Sequence, residues 1–380
     1  MNFINFDNCV TRRMPLEVLE YYFELLKRYN GIGLFGLHAA ELKKEISEAR
    51  SAIASLINAE PDEIIFTSSG TEANNLAIKG VAAAYLKKGR HIITTPFEHS
   101  SVLFPLKTLS KNGFIVDEIK FSYNIESQIL TFDPEYLKSL FRDTILVSCI
   151  YANLDAGILL PVDEICKISK INGILSHVDA CSVLADIPID VKFLNCDLLS
   201  LSCHKFGGPQ SVGVLYKKKG TRIFPQIEGG IEENGLRGGF YNTAAIAASG
   251  FLAKIIKKKY EENKKNVLNL KQALFDILNE NIKDILWISN MNSKLHFYLS
   301  FYIPGVDNEV LLNELSTLNI KISSMPICSI FAGKIPAAFE FIGITPQKAQ
   351  NYFRICLSAD NTFEEVKYFC EKFIGYIKKN

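Results

Sequence analysis

The 380-residue sequence lacks a strong excess of charge of either sign, because 42 lysines and arginines stand against 41 aspartates and glutamates. The net charge of +1 creates no broad electrostatic field, so the composition predicts neither a nucleic-acid partner nor an acidic membrane surface. The chain also lacks an uninterrupted apolar run of about 20 residues, the length that a membrane-spanning helix needs. Its start, M-N-F-I-N-F-D-N, has no basic segment followed by an apolar stretch, so we predict no signal peptide.

The nine cysteines include no Cys-x-x-Cys pair, and their spacing matches no zinc-binding pattern. Their number is odd, and most of them lie in apolar runs such as L-V-S-C-I. These features favour scattered buried thiols in a reducing compartment over a disulfide framework. We therefore predict free cysteines, no metal site and a cytoplasmic location.

What the sequence does contain is a recurring alternation of short apolar strands and helices, on a composition that is 48% hydrophobic. The predicted strands are 63–67, 91–95, 115–120, 144–150, 174–179, 197–202 and 212–216. Strands that alternate with helices predict an α/β fold with a mostly parallel sheet covered on both faces. After Tyr241 a long helix over roughly 243–279 precedes further strands and a final helix. We predict a large domain over residues 15–250 and a smaller α+β domain formed by residues 1–14 and 251–380.

Ligands of open α/β sheets bind at the carboxyl ends of the strands, so polar residues there are the candidate site. The first such segment is T-S-S-G-T-E-A-N-N, Thr67–Asn75, between a strand and a helix. Its small residues leave backbone N–H groups available at a helix start, where a phosphate can bind. No Gly-Lys-Ser/Thr follows, so it is not a P-loop. The alternative is a plain helix cap, formed by Ser69 or Thr71 with Glu72 in the first turn.

Two further strand ends carry an acid and a histidine. In H-V-D-A, Asp179 ends an apolar strand, and a buried acid needs a cation or a hydrogen-bond donor. A turn-capping role is the alternative for this aspartate. In P-F-E-H-S-S, His99 opens a helix after another strand, and a capping or core histidine is the alternative there.

The segment D-L-L-S-L-S-C-H-K-F-G-G-P places Lys205 directly after the buried strand Leu198–Ser202. Desolvation at such a position turns an amine into a usable nucleophile. Ser202 and His204 stand beside this lysine as polar donors. A surface lysine in a turn is the alternative.

These four signals converge, since we expect all of them to lie on one rim of one sheet. Pyridoxal phosphate requires such a set: an anchor for its phosphate, a carboxylate that keeps the pyridine nitrogen protonated, and a lysine for covalent attachment. The sequence therefore predicts pyridoxal 5'-phosphate as the cofactor, attached to Lys205.

The same segments resemble the class V aminotransferases, and most closely the cysteine desulfurase and selenocysteine lyase group. The motifs that carry this resemblance are F-T-S-S-G-T-E-A-N-N-L-A-I-K-G, E-H-S-S-V, H-V-D-A and S-C-H-K-F-G-G-P-x-x-x-G-V-L-Y. Their order and spacing match from about Phe3 to about Phe369. The resemblance implies fold type I of the pyridoxal-phosphate-dependent transferases and a homodimer.

The resemblance also implies a role for each matching residue. Lys205 would carry the cofactor, Asp179 would pair with its ring nitrogen, and His99 would stack on the ring. Arg354, in F-R-I-C-L-S, matches the family arginine that binds the substrate carboxylate, a task that suits the bidentate guanidinium. The residues implied to hold the phosphate are Gly70, Thr71, Ser202 and His204.

Cysteine desulfurases carry a cysteine on a loop shortly before that arginine, and the segment S-S-M-P-I-C-S places Cys328 in this register. The implied reaction converts L-cysteine to L-alanine and leaves a persulfide on Cys328 for a sulfur-acceptor protein. A loop thiol can reach the substrate sulfur and withdraw with it. The alternative is that Cys328 is one more scattered cysteine. Met325 and Pro326 replace the usual small residues of this loop.

Other positions also depart from the family pattern. The asparagine that faces the phenolic oxygen of the cofactor corresponds by spacing to Leu154, with Asn153 one residue away, and we choose Asn153. Ser182 replaces the glutamine that follows H-V-D-A. Phe240 stands where relatives carry a threonine that reaches the phosphate of the neighbouring subunit.

The leading hypothesis is thus a cysteine desulfurase, a sulfur-transferring transferase with L-cysteine as substrate. Met325-Pro326 keeps open an aminotransferase or β-lyase that acts on another small amino acid. A scaffold that binds a partner without turnover is the third possibility, and the intact set of Lys205, Asp179 and Arg354 argues against it.

Overall fold

The structure, a computed structural model, describes residues 3–29, 39–124, 127–324 and 335–379. Its strands are β1 (Ile4–Asn5), β2 (Ile64–Thr67), β3 (His91–Thr94), β4 (Ile115–Glu118), β5 (Phe121–Asn124), β6 (Ile129–Phe132), β7 (Thr144–Ile150), β8 (Ala152–Asn153), β9 (Ile158–Leu159), β10 (Leu175–Asp179), β11 (Leu198–Ser202), β12 (Gly213–Lys217), β13 (Leu286–Ser289), β14 (Tyr298–Tyr302), β15 (Ile320–Lys321) and β16 (Tyr352–Cys356).

The α-helices of the same residues are α1 (Leu16–Arg28), α2 (Ala39–Leu56), α3 (Gly70–Ala84), α4 (Ser100–Lys111), α5 (Pro134–Ser139), α6 (Val162–Ile171), α7 (Val191–Leu194), α8 (Thr243–Asn281), α9 (Asn308–Thr317), α10 (Ala337–Phe341), α11 (Pro346–Ala349) and α12 (Phe363–Ile377). Short 3-10 turns lie at Pro61–Glu63, Cys203–Phe206 and Glu232–Gly235. No helix among these is both long enough and apolar enough to cross a membrane.

The central sheet has the strand order β2-β12-β11-β10-β7-β3-β4. All its neighbouring pairs are parallel except those of β12, which runs antiparallel to both β11 and β2. The prediction of a mostly parallel sheet is therefore confirmed. Strands β7 and β11 are buried along their whole length, as expected for strands with helices on both faces. The parallel strands direct their carboxyl ends toward one edge, where the predicted site residues lie.

The C-terminal part forms a second, antiparallel sheet with the order β13-β14-β16. Strand β1 pairs in parallel with β15, so the N-terminus joins the C-terminal part, as the domain prediction requires. Helix α8 continues through the predicted boundary between residues 250 and 251 without interruption. The domain limits themselves stay a prediction.

The prediction that the cysteines are free is wrong for one pair, because Cys9 and Cys356 form a disulfide. Asp7 makes a parallel bridge to Cys356, which brings Cys9 alongside β16, and the two Cα atoms are 5.8 Å apart. The two cysteines are 347 residues apart in the chain, so no local sequence pattern could indicate that they pair. The other described cysteines are free and buried, as predicted: Cys149, Cys166, Cys181, Cys196, Cys203 and Cys370.

Candidate active site

The turn between β2 and α3 places Gly70 as the first residue of the helix, with Ser69 as the N-cap. The hydroxyl of Ser69 accepts a hydrogen bond from the Glu72 N–H at 3.1 Å, which confirms the capping alternative. The remaining N–H groups of a first helical turn have no intrahelical acceptor, so the cap does not exclude a phosphate. Thr71 is exposed beside this position.

Gly70 also brings the start of α3 against the ends of two strands. A Cβ atom at Gly70 would lie 2.4 Å from Cys181 Sγ and 3.0 Å from Ser202 Cβ. The absence of a side chain therefore allows the helix N-terminus to approach β10 and β11 closely. Gly70 and Ser202, two of the predicted phosphate-binding residues, are adjacent.

Asp179, at the end of β10, is 4% exposed and has two donors. Its Oδ1 accepts from the Cys181 N–H at 3.0 Å, and its Oδ2 accepts from Asn74 Nδ2 at 2.7 Å. A carboxylate offers about four lone-pair sites, so these two bonds leave capacity for a protonated ring nitrogen.

His99 is the N-cap of α4 and is exposed, whereas Phe97, Glu98 and Ser101 around it are buried. The capping alternative is thus confirmed for His99 too, and its exposed imidazole remains free to stack on a planar ligand. Desolvation by the surrounding protein, followed by the charge of Lys205, lowers the pKa of this imidazole. We therefore expect His99 to be neutral at pH 7.

Glu98, the neighbour of His99, is a buried acid that the sequence analysis did not select. Its Oε1 accepts from the Thr95 hydroxyl at 2.5 Å and from the Ile150 N–H at 2.8 Å, and its Oε2 has no partner in the described structure. Burial is the main cause that raises the pKa of Glu98 to about 8.

Lys205 lies in the turn Cys203–Phe206 that follows β11, where it is partly buried. Its Nζ donates to Ser182 Oγ at 3.0 Å, so the residue that replaces the family glutamine orients this amine. His204, partly buried beside it, has a lowered pKa because of burial and then the charge of Lys205. The lysine therefore lies at the strand end rather than on an open surface.

Arg354 lies on β16 and is 5% exposed. Its Nη1 donates to Asp155 Oδ1 at 2.6 Å and to the Leu154 carbonyl at 3.2 Å, and its Nη2 donates to Asp7 Oδ1 at 3.1 Å. The Nε atom is buried and has no partner in the described structure. Because an arginine has five N–H donors, Nε–H and the second Nη2 hydrogen remain available for a carboxylate.

Asn153 lies close to His99, since its Nδ2 donates to the Phe97 carbonyl at 2.9 Å. Its Oδ1 accepts from the N–H groups of Asp155 and Ala156, so the side chain holds the loop between β8 and β9. One Nδ2 hydrogen remains for a ligand, and the predicted role of Asn153 stays a prediction. Cys328, together with Met325 and Pro326, lies outside the described residues.

Sequence reasoning missed the residues that support this site. Asn74 and Ser101 link His99 to Asp179, while Asp7 and Asp155 hold Arg354. Asn74 and Ser101 belong to quoted motifs, but nothing in the motifs indicates that the two side chains meet. Asp7 and Arg354 are 347 residues apart in the chain, so only the tertiary fold shows their contact.

The residues present fit pyridoxal phosphate. A helix start with a close-approach glycine can hold the phosphate, Asp179 keeps free lone pairs for a ring nitrogen, and Lys205 supplies the amine. The charges of both Lys205 and Asp179 affect the pKa of His99, so the three side chains belong to one electrostatic site. A protein with this sheet and these side chains is a pyridoxal-phosphate-dependent enzyme of fold type I.

Comparison with known proteins gives the particular family. The chain matches the aminotransferase class-V family over residues 4–369. It is 35% identical to the cysteine desulfurase IscS of Dictyoglomus turgidum, over 98% of this chain and 94% of the relative. A solved structure of a NifS-like protein shares 32% identity and a TM-score of 0.89, with both chains fully covered. A second structure, SspA in complex with cysteine, shares 25% identity and a TM-score of 0.76, over 95% of this chain and all of that one.

The protein therefore belongs to the class V aminotransferase family. Its members depend on pyridoxal phosphate, which agrees with the predicted cofactor. Membership of the family does not test the roles of single residues, so the individual roles of the site residues stay predictions.

Proposed function

We propose that this protein is a cysteine desulfurase that converts L-cysteine to L-alanine and passes the sulfur to a thiol. The observation that carries this proposal is the buried Nε of Arg354, which has no partner among the described residues. Arg354 pairs with Asp155, and the charge of Asp155 also affects the pKa of His99. That arrangement provides a carboxylate-binding edge near the cofactor position, as an α-amino acid substrate requires. The named similarities to cysteine desulfurases support the same reaction.

Each side chain would have a definite task. Pyridoxal phosphate, when bound, supplies an electron sink for the bonds at the substrate α-carbon. Lys205 Nζ would hold the cofactor and then move the Cα proton, with Ser182 Oγ orienting it. Asp179 would maintain the ring nitrogen in its protonated form, and His99 would cover the ring face. Arg354 would orient the substrate through its carboxylate.

The sulfur would be received by Cys328. The Cys328 thiolate would attack the sulfur of L-cysteine, so that an S–S bond forms while the Cβ–S bond breaks with its electron pair retained by the carbon skeleton. The carbon would then take up a proton and leave as L-alanine. Ser323, five residues earlier, pairs with Arg354 through two backbone hydrogen bonds of 3.1 and 2.7 Å. A chain of five residues reaches at most about 16–18 Å, so a thiol five residues beyond Ser323 could reach a substrate bound at Arg354, which supports the proposed role of Cys328.

The first test is the joint measurement of sulfide and alanine after purified protein is mixed with L-cysteine and a reductant. Equal amounts of both products would establish desulfuration. The absence of both sulfide and alanine, from a protein that binds pyridoxal phosphate, would contradict the proposal. Amino transfer to an added 2-oxo acid would then favour an aminotransferase, the possibility that Met325-Pro326 keeps open.

The variant Cys328→Ala tests the sulfur-accepting thiol. We expect it to retain pyridoxal phosphate and to lose sulfur transfer to an acceptor protein, because its loop has no thiol. The buried Cys370, on α12 in the small domain, gives a matched control in Cys370→Ala. Persulfide formation by Cys328→Ala at the wild-type rate would rule out this role.

We also propose a homodimer. Phe240 is 73% exposed and Ile231 is 91% exposed. Arg237, which lies between them in the chain, pairs with Glu72 in the first turn of α3 at 2.9 Å. A contiguous exposed apolar patch marks a contact surface, and these two side chains would contribute to such a patch in the proposed dimer. The variant Phe240→Glu should shift the mass in multi-angle light scattering from dimer to monomer, whereas an unchanged mass would argue against this surface.

The predicted cytoplasmic location belongs to the same proposal. It is supported by the buried free cysteines, while the disulfide of Cys9 and Cys356 is the observation against it. Mass spectrometry of protein alkylated during cell lysis would decide the state of this pair in the cell.

A further inference from the structure

A chain of short hydrogen bonds connects His99 with Asp179. Asn74 Nδ2 donates to Asp179 Oδ2 at 2.7 Å and to Ser101 Oγ at 2.8 Å, and Ser101 Oγ lies 2.7 Å from His99 Nδ1. Asn74 is 1% exposed, Ser101 is 7% exposed and Asp179 is 4% exposed. The two linking side chains lie in the first turns of α3 and α4.

The chemistry of the groups fixes the direction of every bond in this chain. An ionised carboxylate only accepts, so Asn74 must present its amide nitrogen to Asp179. The two amide hydrogens are then used by Asp179 and by Ser101 Oγ. Because Ser101 Oγ accepts one of them, its own hydrogen is free to donate to His99 Nδ1.

A second donor reaches the same imidazole nitrogen. The backbone N–H of Ser101 donates to His99 Nδ1 at 3.1 Å. If Nδ1 were protonated, its hydrogen would point at the hydrogen of the Ser101 N–H and repel it. Nδ1 must therefore present its lone pair to this donor. The proton of the neutral ring is therefore on Nε2.

The amide of Asn74 has a feature that packing alone does not explain. Its Oδ1 is buried and has no partner in the described structure. Rotation of the amide by 180° would bring this oxygen against the carboxylate of Asp179, so the observed orientation is the only favourable one. An unsatisfied buried acceptor destabilises a protein, and its presence here is consistent with a positioning role for the amide nitrogen.

We propose that Asn74 and Ser101 are positioning residues that hold His99 as the neutral Nε2–H tautomer and couple its ring to the carboxylate of Asp179. The inference rests on the proposed function, since it takes His99 and Asp179 as cofactor-binding residues. Asn74 and Ser101 do not touch the reacting atoms. They would nevertheless determine which face the imidazole of His99 turns to the cofactor and would keep the proton on its Nε2 atom.

The test is nitrogen-15 NMR of protein labelled at histidine, measured without cofactor and again with pyridoxal phosphate. The His99 signals are assigned by their loss in His99→Gln. The wild-type protein should show the Nε2–H tautomer. Ser101→Ala removes one donor to Nδ1, so we expect the ratio of tautomers to fall about two- to tenfold.

Three further variants make the test specific. Ser101→Thr retains the hydroxyl and should restore the wild-type tautomer. Asn74→Leu should lower the ratio of His99 tautomers as Ser101→Ala does. The amide of the neighbouring Asn75 donates to the Thr71 carbonyl instead, so Asn75→Leu should leave the His99 tautomer unchanged. A cofactor absorption band that changes its pH dependence in Asn74→Leu but not in Asn75→Leu would support the coupling to Asp179.

The outcomes distinguish this inference from the proposed function. A wild-type Nδ1–H tautomer, or signals unaffected by Ser101→Ala, would overturn the inference even if the protein desulfurates cysteine. The expected tautomer shifts in a protein that releases neither sulfide nor alanine would support the inference and contradict the proposed function.

Discussion

Replacement of Gly70 by alanine tests the close approach of α3 to the strand ends. The added Cβ would lie 2.4 Å from Cys181 Sγ and 3.0 Å from Ser202 Cβ. Overpacking of this kind costs about 1–3 kcal/mol. The backbone of Gly70 is not in the left-handed region, so an alanine there gains up to about 1 kcal/mol of helix propensity. The net loss for Gly70→Ala is therefore smaller than the clash itself.

A double-mutant cycle with Cys181→Ala separates the two effects, because that change removes the sulfur atom the new methyl group meets. Cys181→Ala alone leaves a cavity and should destabilise by about 1 kcal/mol. In the combined variant the methyl group occupies part of this cavity. We expect a favourable coupling energy of about 1–3 kcal/mol between the two sites.

The assay is urea unfolding of the cofactor-free protein, followed by titration with pyridoxal phosphate. Gly70→Ala should bind the cofactor more weakly than wild type, and the combined variant should recover part of the affinity. Additivity of the two changes within about 0.5 kcal/mol would refute the steric argument.

Three more predictions follow from described contacts. The pKa of Glu98 is raised from 4.5 to about 8 in the folded state, so the folded state binds this proton more tightly than the unfolded state. The free energy of unfolding should therefore fall as the pH rises from about 4.5 to about 8. Glu98→Gln should flatten this pH dependence, and an unchanged pH dependence in the variant would contradict the raised pKa. Arg354→Lys should raise KM for L-cysteine about 10- to 100-fold through loss of a charge-assisted hydrogen bond, whereas steady-state kinetics with an unaltered KM would remove Arg354 from substrate binding. Cys9→Ser should lower the free energy of unfolding by about 2–4 kcal/mol in protein purified without reductant, and peptide mapping that finds no crosslink between Cys9 and Cys356 would contradict the disulfide.

Much of the fold could be predicted from local patterns. Strand β7 over Thr144–Ile150 has the limits that the apolar pattern predicted, and helix α8 over Thr243–Asn281 agrees with the helix predicted over roughly 243–279. The antiparallel direction of β12 was not predicted, since a buried apolar strand reads the same in either direction. The prediction of free thiols was wrong for Cys9 and Cys356, because their disulfide depends on the two ends of the chain lying side by side.

The chemical groups of the candidate site could be read from the sequence: a lysine, an acid and a histidine, each after a strand, and a glycine at a helix start. Such residues are tied to their elements by short-range chemistry, so motifs reveal them. Which of these groups share hydrogen bonds depends on the three-dimensional fold. Asn74 reaches Asp179, and Asp7 reaches Arg354, across 105 and 347 residues of chain. Their contacts exist because parallel strands bring distant carboxyl ends to one edge, and because β1 and β16 join the two ends of the chain.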